Sequence, residues 1–245
     1  MRPSYAMYRF YAEVAGAQIT DIDFVPPDFG FPVARILEAI TARTKAVLIA
    51  NPNNPTGTGL SIEAVEQILQ KAESAAVLID EAYYEFSGVT AMPLIERYPN
   101  LFVSRTFSKV YGIAAMRMGC LFSQAANIAY AHKAQSPYSV NALAAMAAVE
   151  AIKDGEYISR YVTEALAARE LLVQGLQRLG IPYTPSEANF VLGHFGQRAI
   201  EVRDALRERA ILVRDRSYEI PGGVRITVGS CEQTNQVLKE LDRIW

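Results

Sequence analysis

The first half of the chain alternates short apolar runs, rich in branched residues, with a longer segment of helical periodicity. Branched apolar runs of this length are typical of β-strands, and they occupy Lys45–Ala50, Ala75–Ile79 and Leu101–Val103. Between the first two runs, apolar residues recur every three or four positions behind Ser61, a favourable N-cap. This spacing predicts a helix over Ile62–Ala72.

The order of these elements predicts the class of fold. Strands that are apolar throughout are buried on both faces, and such strands joined by helices form a mostly parallel sheet. We therefore expect an α/β fold in which helices cover both sides of the sheet.

The second half of the chain predicts a compact α+β unit. It begins with the alanine-rich helical segment Asn141–Ile152, and its last helix is opened by a capping box at Ser230. Further helices and strands are predicted at Tyr157–Leu179, Asn189–Leu192, Arg198–Arg209, Ile211–Val213 and Val224–Val228. We place a domain boundary near Gly155, so that residues 1–155 form a large domain and residues 156–245 a smaller one.

Composition excludes several classes of function. The 245 residues are 51% hydrophobic and carry a net charge of −2 with both signs mixed, so a nucleic-acid partner is not expected. No apolar run is long enough to span a bilayer and no signal peptide follows Met1, which predicts a cytoplasmic protein without a membrane partner. Cys120, Cys231, His132 and His194 have no metal-ligand spacing, so no metal site is expected.

Three polar clusters begin where the predicted parallel strands end. They are Asn51–Gly57 (NPNNPTG), Asp80–Tyr84 (DEAYY) and Ser104–Lys109 (SRTFSK). Ligands of open α/β sheets bind at the carboxyl ends of the strands. We therefore expect segments that are distant in sequence to deliver polar groups to one crevice, although Asn and Pro are also typical of an ordinary turn.

The third cluster has the chemistry to bind a phosphorylated aldehyde. The amine of Lys109 can condense with the aldehyde, while Thr106, Ser108 and Arg117 bind the phosphate. Partial burial beside Arg117 is expected to lower the pKa of Lys109, so that its free amine can also transfer protons. The alternative is an ordinary solvated lysine.

The other two clusters supply the groups that a pyridoxal phosphate ring requires. A carboxylate beside the ring nitrogen keeps that nitrogen protonated, and Asp80 is the candidate. Tyr83 and Asn54 are candidates for hydrogen bonds to the phenolic oxygen of the ring. Taken alone, Asp80 is equally typical of a turn or a helix N-cap.

Two arginines are candidates for substrate binding. Arg225 lies in a run where apolar residues alternate with polar ones, so its side chain projects from the polar face of a strand. A guanidinium there can bind a carboxylate or a phosphate through two parallel hydrogen bonds, although a solvent-facing arginine fits the same pattern. Arg214, at the end of the predicted strand Ile211–Val213, is a second candidate.

Together these motifs resemble the fold-type I, class I and II aminotransferases, and most closely the histidinol-phosphate aminotransferases. The resemblance runs through PSYAMYRFYAEVAGA, NPNNPTG, DEAYYEF, TFSKVYGIAAMRMG, PYSVNALA, SEANFVL and VRITVG. It implies a pyridoxal-phosphate-dependent transferase fold, with the large domain an α/β/α sandwich, and a homodimer. The residues that it implies for the site are Lys109 as the carrier of pyridoxal 5'-phosphate, Asp80, Tyr83, Asn54, Ser108 and Arg117 around it, Tyr5 stacked on its ring, and Arg225 on the substrate.

The sequence differs from the family pattern in one respect, which concerns the region before Pro3. Members of the family carry a further segment there, with a substrate-covering arm and a glycine-containing turn that opens a phosphate-binding helix. No such turn precedes Tyr5. We therefore expect weaker cofactor binding and slower turnover than in a full-length relative.

The activity that the resemblance implies is amino-group transfer from L-histidinol phosphate to 2-oxoglutarate, in histidine biosynthesis. Alternatives are another enzyme of the same class, either an aromatic aminotransferase or a threonine-phosphate decarboxylase, and a non-catalytic remnant that keeps the fold. A decarboxylase releases carbon dioxide and consumes no 2-oxo acid, so analysis of the products separates the enzymes.

Overall fold

The computed structural model describes all residues from Met1 to Trp245. The α-helices are α1 (Ala6–Val14), α2 (Val33–Ala39), α3 (Ile62–Lys71), α4 (Tyr84–Ser87), α5 (Ala125–Ala134), α6 (Ala142–Lys153), α7 (Gly155–Arg178), α8 (Ala199–Glu208) and α9 (Cys231–Ile244). The strands are β1 (Ala46–Ala50), β2 (Ala76–Asp80), β3 (Leu101–Thr106), β4 (Gly119–Phe122), β5 (Tyr183–Thr184), β6 (Phe190–His194), β7 (Arg214–Asp215) and β8 (Gly223–Thr227). None of the helices combines the length and the apolar character that crossing a bilayer requires.

The first sheet has the order β1-β2-β3-β4. Its first three strands are parallel and β4 is antiparallel, so the predicted mostly parallel sheet is confirmed. Branched residues of β2 and β3 are fully buried against α3, which begins where the Ser61 hydroxyl accepts a hydrogen bond from the Ala64 N–H. The apolar runs of the sequence thus predicted these three strands, although β3 continues beyond its apolar run through the polar residues 104–106.

The second sheet is antiparallel throughout, in the order β5-β6-β8-β7. Residues of α7, α8 and α9 pack with it into a core that is separate from that of the first sheet. Every element of this sheet follows Gly155, and the division into domains 1–155 and 156–245 stays a proposal.

One predicted strand of the second sheet is wrong. Residues Ile211–Val213 are not in a strand; the strand is formed by the next two residues, Arg214 and Asp215, which pair with β8. Ile211 and Val213 pack against the core, and the Ile211 N–H closes the end of α8 by donating to the Leu206 carbonyl oxygen at 2.9 Å. Their apolar character therefore reflects burial and not strand pairing.

A small apolar cluster connects the two halves of the molecule. Tyr83, Phe86 and Val110 from the first half pack against Ala165 and Phe190 from the second. The edge of the Phe190 ring lies against the Tyr83 ring, with 5.2 Å between the ring centres. This contact brings the polar face of β8 towards the carboxyl ends of β1, β2 and β3.

Candidate functional site

The three parallel strands end at one level, which brings the predicted polar clusters together. In the register of the sheet, Ala50 lies beside Asp80 and Asp80 beside Ser104. The Asn51 N–H donates to the Asp80 carbonyl oxygen, and the Glu81 N–H donates to the Ser104 carbonyl oxygen, both at 2.9 Å. The chain therefore leaves each strand at the same edge, and all three clusters border one crevice.

The loop Asn51–Gly57 is fixed by its own buried amides. The Asn51 side chain donates to the Leu60 carbonyl oxygen and accepts from the Leu60 N–H at 2.9 and 2.8 Å. The Asn53 amide accepts from the Ser4 hydroxyl and donates to the Thr56 hydroxyl. These bonds pair the buried polar groups of the loop, and the Asn54 amide takes no part in them.

Asp80, the last residue of β2, is held by two hydrogen bonds. The Ala82 N–H donates to its Oδ1 at 3.2 Å, and the Tyr8 hydroxyl donates to its Oδ2 at 2.5 Å. Burial and the neighbouring Asp80 carboxylate both raise the pKa of Tyr8 above its ordinary value, so the phenol stays protonated and acts as a donor. Tyr8 was not predicted from the sequence; its contact with Asp80 spans 72 positions.

Tyr8→Phe is expected to weaken the binding of pyridoxal phosphate by about 10-fold. The substitution removes a hydrogen bond to a charged group, which contributes about 1.5–3 kcal/mol, and frees the Asp80 side chain to rotate. Cofactor titration followed by absorbance or fluorescence measures the effect. Tyr11→Phe, on the exposed side of the same helix, is the matched control; equal affinities of the two variants would contradict a positioning role for Tyr8.

Lys109 is half-buried, and its Nζ makes no hydrogen bond or ion pair within the protein. Nζ lies 5.2 Å from the centre of the Tyr83 ring. Burial and the positive charge of Arg225 lower the pKa of Lys109, while Tyr5 and Asp80 oppose the shift. The expected lowering of this pKa is present, but the charged neighbour responsible is Arg225 and not Arg117.

A buried ion pair fixes the backbone directly after Asp80. The Glu81 carboxylate, 1% exposed, accepts from Arg105 at 2.9 and 3.1 Å and from the Ala91 N–H at 2.6 Å. The Arg105 guanidinium also lies 3.6 Å from the centre of the Tyr84 ring. Nothing in the sequence indicated that Glu81 and Arg105 form an ion pair, because only the register of β2 and β3 brings the two residues together.

Arg225 connects the second sheet to the crevice. Its Nη1 donates to the Asn54 Oδ1 at 2.6 Å, and its guanidinium lies 4.9 Å from the centre of the Phe190 ring. Its Nε is buried and makes no hydrogen bond. Arg214 is the partner of Arg225 in the β7–β8 register, so the two side chains project from the same face of the sheet.

The remaining predicted residues, Thr106, Ser108, Tyr5 and Arg117, differ in how far they are exposed to solvent. The Thr106 hydroxyl accepts from the Ser108 N–H at 3.1 Å and so shapes the turn before Lys109. Tyr5 is 47% exposed and contacts Tyr8 edge to face, with 5.4 Å between the ring centres. Arg117 is exposed and donates to the Ala114 carbonyl oxygen. The guanidinium of Arg117 is thus bonded within its own turn.

Comparison with known proteins identifies a family for this arrangement. The aminotransferase class I and II family matches residues 1–241. The histidinol-phosphate aminotransferase of Caldanaerobacter subterraneus subsp. tengcongensis is 39% identical over 99% of this chain and 69% of its own. That of Symbiobacterium thermophilum is 37% identical over 98% of this chain and 67% of its own. The chain thus spans about two thirds of the length of these curated relatives.

Solved structures are similar over nearly the whole chain. The histidinol-phosphate aminotransferase of Clostridium acetobutylicum has a TM-score of 0.92 at 27% identity, over 99% of this chain and 75% of its own. A histidinol-phosphate aminotransferase of Sinorhizobium meliloti, in complex with pyridoxal-5'-phosphate, has a TM-score of 0.88 at 24% identity, over 98% of this chain and 68% of its own. The second likeness supports the fold alone.

Proposed function

Because the chain belongs to the class I and II aminotransferases, we propose that it transfers an amino group from L-histidinol phosphate to 2-oxoglutarate. The curated relatives that are 36–39% identical over nearly the whole chain carry the name histidinol-phosphate aminotransferase, which supports this donor. The observation that carries the proposal is the unbonded amine of Lys109, half-buried between the charges of Arg225 and Asp80.

The residues present fit pyridoxal 5'-phosphate. The donor set joins a lysine amine of lowered pKa, a fixed carboxylate and a half-buried guanidinium whose buried Nε has no partner. When bound, the cofactor acts as an electron sink for the α-carbon of the substrate. Asp80 would keep the ring nitrogen protonated, and Tyr83 and Asn54 would bond the phenolic oxygen.

The other residues of the proposed site position the cofactor or transfer protons. Lys109 would bind the aldehyde carbon and, once displaced by the substrate amine, carry the proton to and from the α-carbon. Thr106, Ser108 and Arg117 would bind the phosphate, for which Arg117 would leave the Ala114 carbonyl oxygen. Tyr5, at the open side of the crevice, would stack on the ring.

The pair Arg225 and Arg214 suits a site that accepts two kinds of anion. L-Histidinol phosphate has a phosphate and no carboxylate, whereas 2-oxoglutarate has two carboxylates. A guanidinium binds either group through parallel hydrogen bonds. Arg225 would bind both substrates in turn, with Arg214 beside it on the same face of the second sheet.

Arg225→Ala is expected to lower kcat/KM by about 10–100-fold for the phosphorylated donor and for the 2-oxo acid alike. The loss corresponds to one hydrogen-bonded charge pair of about 1.5–3 kcal/mol. Steady-state kinetics with each substrate varied in turn measures it. Arg207→Ala, an exposed arginine of α8, is the control. A loss confined to one substrate would contradict the shared role.

Product analysis tests the proposed donor. The purified chain with pyridoxal phosphate, L-histidinol phosphate and 2-oxoglutarate should form glutamate without releasing carbon dioxide. Carbon dioxide release from a phosphorylated amino acid, with no use of the 2-oxo acid, would indicate a decarboxylase. No product with any amino donor, together with no change in cofactor absorbance, would indicate a non-catalytic remnant.

We further propose a homodimer in the cytoplasm. The cytoplasmic location rests on the proposed role in amino-acid synthesis, and the dimer is supported by an exposed apolar stripe on α6. Its members recur every third residue and are Leu143, Met146, Val149 and Ile152, each more than 50% exposed. Exposed apolar stripes of this kind mark protein–protein interfaces.

The expected mass in solution is therefore twice the chain mass of 27.0 kDa. Met146→Glu should shift the protein towards the monomer, because it places a charge in the apolar interface, and Glu150→Gln on the same helix should not. Analytical ultracentrifugation over a range of concentrations measures both. A mass of one chain at every concentration would contradict the dimer.

A further inference from the structure

The ion pair of Glu81 and Arg105 lies behind the candidate site, on the opposite face of the first sheet. In the parallel register of β2 and β3, Asp80 pairs with Ser104. The residues that follow them, Glu81 and Arg105, therefore lie beside each other. Because successive side chains of a strand point to opposite faces, Asp80 and Thr106 share the face of the crevice. Glu81 and Arg105 share the other face, which we call the reverse face.

Both oxygens of the Glu81 carboxylate are bonded within a closed network. Oε2 accepts from Nε and Nη2 of Arg105 at 3.1 and 2.9 Å and from the Thr90 hydroxyl at 2.8 Å. Oε1 accepts from the Ala91 N–H. Nη2 of Arg105 also donates to the Thr90 hydroxyl oxygen at 2.9 Å, and the Tyr84 ring covers the guanidinium. The network thus joins the ends of β2 and β3 to the loop at residues 90–91.

Each member of the ion pair is close in the chain to one proposed contact of the cofactor. Glu81 directly follows Asp80, whose carboxylate is assigned to the ring nitrogen. Arg105 precedes Lys109 by four residues, and the turn between them is shaped by the Thr106 hydroxyl. The pair therefore joins the backbone that carries the carboxylate to the backbone that carries the amine.

We propose that Glu81 and Arg105 are positioning residues, which set the separation between the Asp80 carboxylate and the Lys109 amine to match the cofactor ring. The proposal rests on the proposed function, in which these two groups bind pyridoxal 5'-phosphate. The aldehyde carbon and the ring nitrogen lie at opposite ends of that ring, so one spacing of the two protein groups serves both. Glu81 and Arg105 act from the reverse face and do not face the crevice.

The chemistry of the pair suits the control of a distance better than it suits stability. A buried ion pair commonly contributes no more to stability than apolar side chains of the same volume. Its geometry is specific, however, because the planar guanidinium presents its donors in a rigid fork. Apolar side chains at these two positions could pack equally well with the strand ends shifted, whereas the fork of Arg105 fixes where the Glu81 carboxylate lies.

A comparison of two cofactors tests the proposal without measuring turnover. Pyridoxal 5'-phosphate and its 1-deaza analogue, in which C–H replaces the ring nitrogen, have the same aldehyde and phosphate. Only the first can bond the Asp80 carboxylate. The ratio of their dissociation constants, measured by absorbance titration, therefore reports how well Asp80 is placed relative to Lys109. A general loss of stability weakens both ligands alike and leaves the ratio unchanged.

In the parent chain the analogue should bind at least about 10-fold more weakly, as expected for loss of a hydrogen bond to a charged group. Arg105→Lys keeps the charge but loses the fork, and Glu81→Gln keeps the shape but loses the charge. Each should lower the ratio at least about 5-fold, because a hydrogen bond weakens steeply outside its ordinary distance and angle. Ile68→Val, fully buried in the core of the same sheet, is the stability control and should keep the ratio. Urea unfolding confirms that each variant is folded.

The outcomes distinguish this proposal from the function on which it rests. A high ratio in the parent chain that falls in both variants and not in Ile68→Val supports the positioning role. A high ratio that either variant keeps, or an equal fall in Ile68→Val, would overturn the positioning role and leave the proposed function standing. A ratio near 1 in the parent chain would overturn the role of Asp80, and the proposal with it.

Discussion

Lys109→Ala is expected to abolish the change in absorbance that follows addition of the cofactor and to lower turnover by about 10⁴-fold or more, since positioned proton transfer alone contributes about 10²–10⁴-fold. The variant loses both the amine that binds the aldehyde and the base that moves the α-proton. Absorbance spectra during cofactor titration and steady-state rates measure the two losses separately. Stability should change little, because the amine has no bonding partner in the protein.

Lys133→Ala is the matched control for this substitution. Lys133 also lies beside a tyrosine, with its Nζ 4.3 Å from the centre of the Tyr130 ring, but it is exposed on α5. If both variants show the same absorbance change with the cofactor as the parent protein, Lys109 is not the residue that binds it.

The lowered pKa of Lys109 has a consequence for pH dependence. Its neutral amine, the reactive form, prevails at a lower pH than that of an ordinary lysine, because burial and Arg225 both disfavour the ammonium ion. Reaction with the aldehyde therefore persists as pH falls below the ordinary lysine range. Removal of Arg225 takes away one of the two causes, so the pH profile of Arg225→Ala should move towards higher pH.

Asp80→Asn is expected to lower kcat/KM by about 10²–10³-fold, the range found when one preorganised electrostatic group is removed from an active site. An amide has nearly the same size but no charge, so it cannot keep the ring nitrogen protonated. The fold should tolerate it, because the Tyr8 hydroxyl can rotate to accept from the new amide while Ala82 still donates to the oxygen.

Two further variants separate charge from simple disturbance of the site. Asp80→Glu retains the negative charge and should retain more activity than Asp80→Asn. Asp28→Asn, at an exposed aspartate, should match the parent chain. Rates and cofactor affinities of all three are compared at one pH. Equal rates for Asp80→Asn and the parent chain would contradict the role assigned to this carboxylate.

The strands that carry the candidate site were predictable from the sequence because of how they are buried. The apolar runs of β1 and β2, and the apolar first half of β3, pack in the core and leave a clear signal. The polar residues that follow them were equally visible. The same reasoning failed at Ile211–Val213, since apolar side chains can be buried by a turn that leaves a helix.

The hydrogen-bond and charge partners of the site residues could not be predicted from sequence patterns. Tyr8 meets Asp80 across 72 positions, and Arg225 meets Asn54 across 171. Arg117 was the expected neighbour of Lys109 because it is close in sequence, yet Arg225 is the cation that lowers the pKa of Lys109. Periodicity reports which face of an element is buried, and it carries no information on which distant side chain lies opposite.

Of the six lysines in the chain, Lys109 alone is proposed to bind the cofactor. The most direct test is to incubate the protein with pyridoxal 5'-phosphate, reduce it with borohydride and locate the attached pyridoxyl group by mass spectrometry of peptides. We expect a single modified peptide, with the label on Lys109, at one equivalent of cofactor. A label distributed over Lys133 and the other exposed lysines, with Lys109 unmodified, would contradict the account.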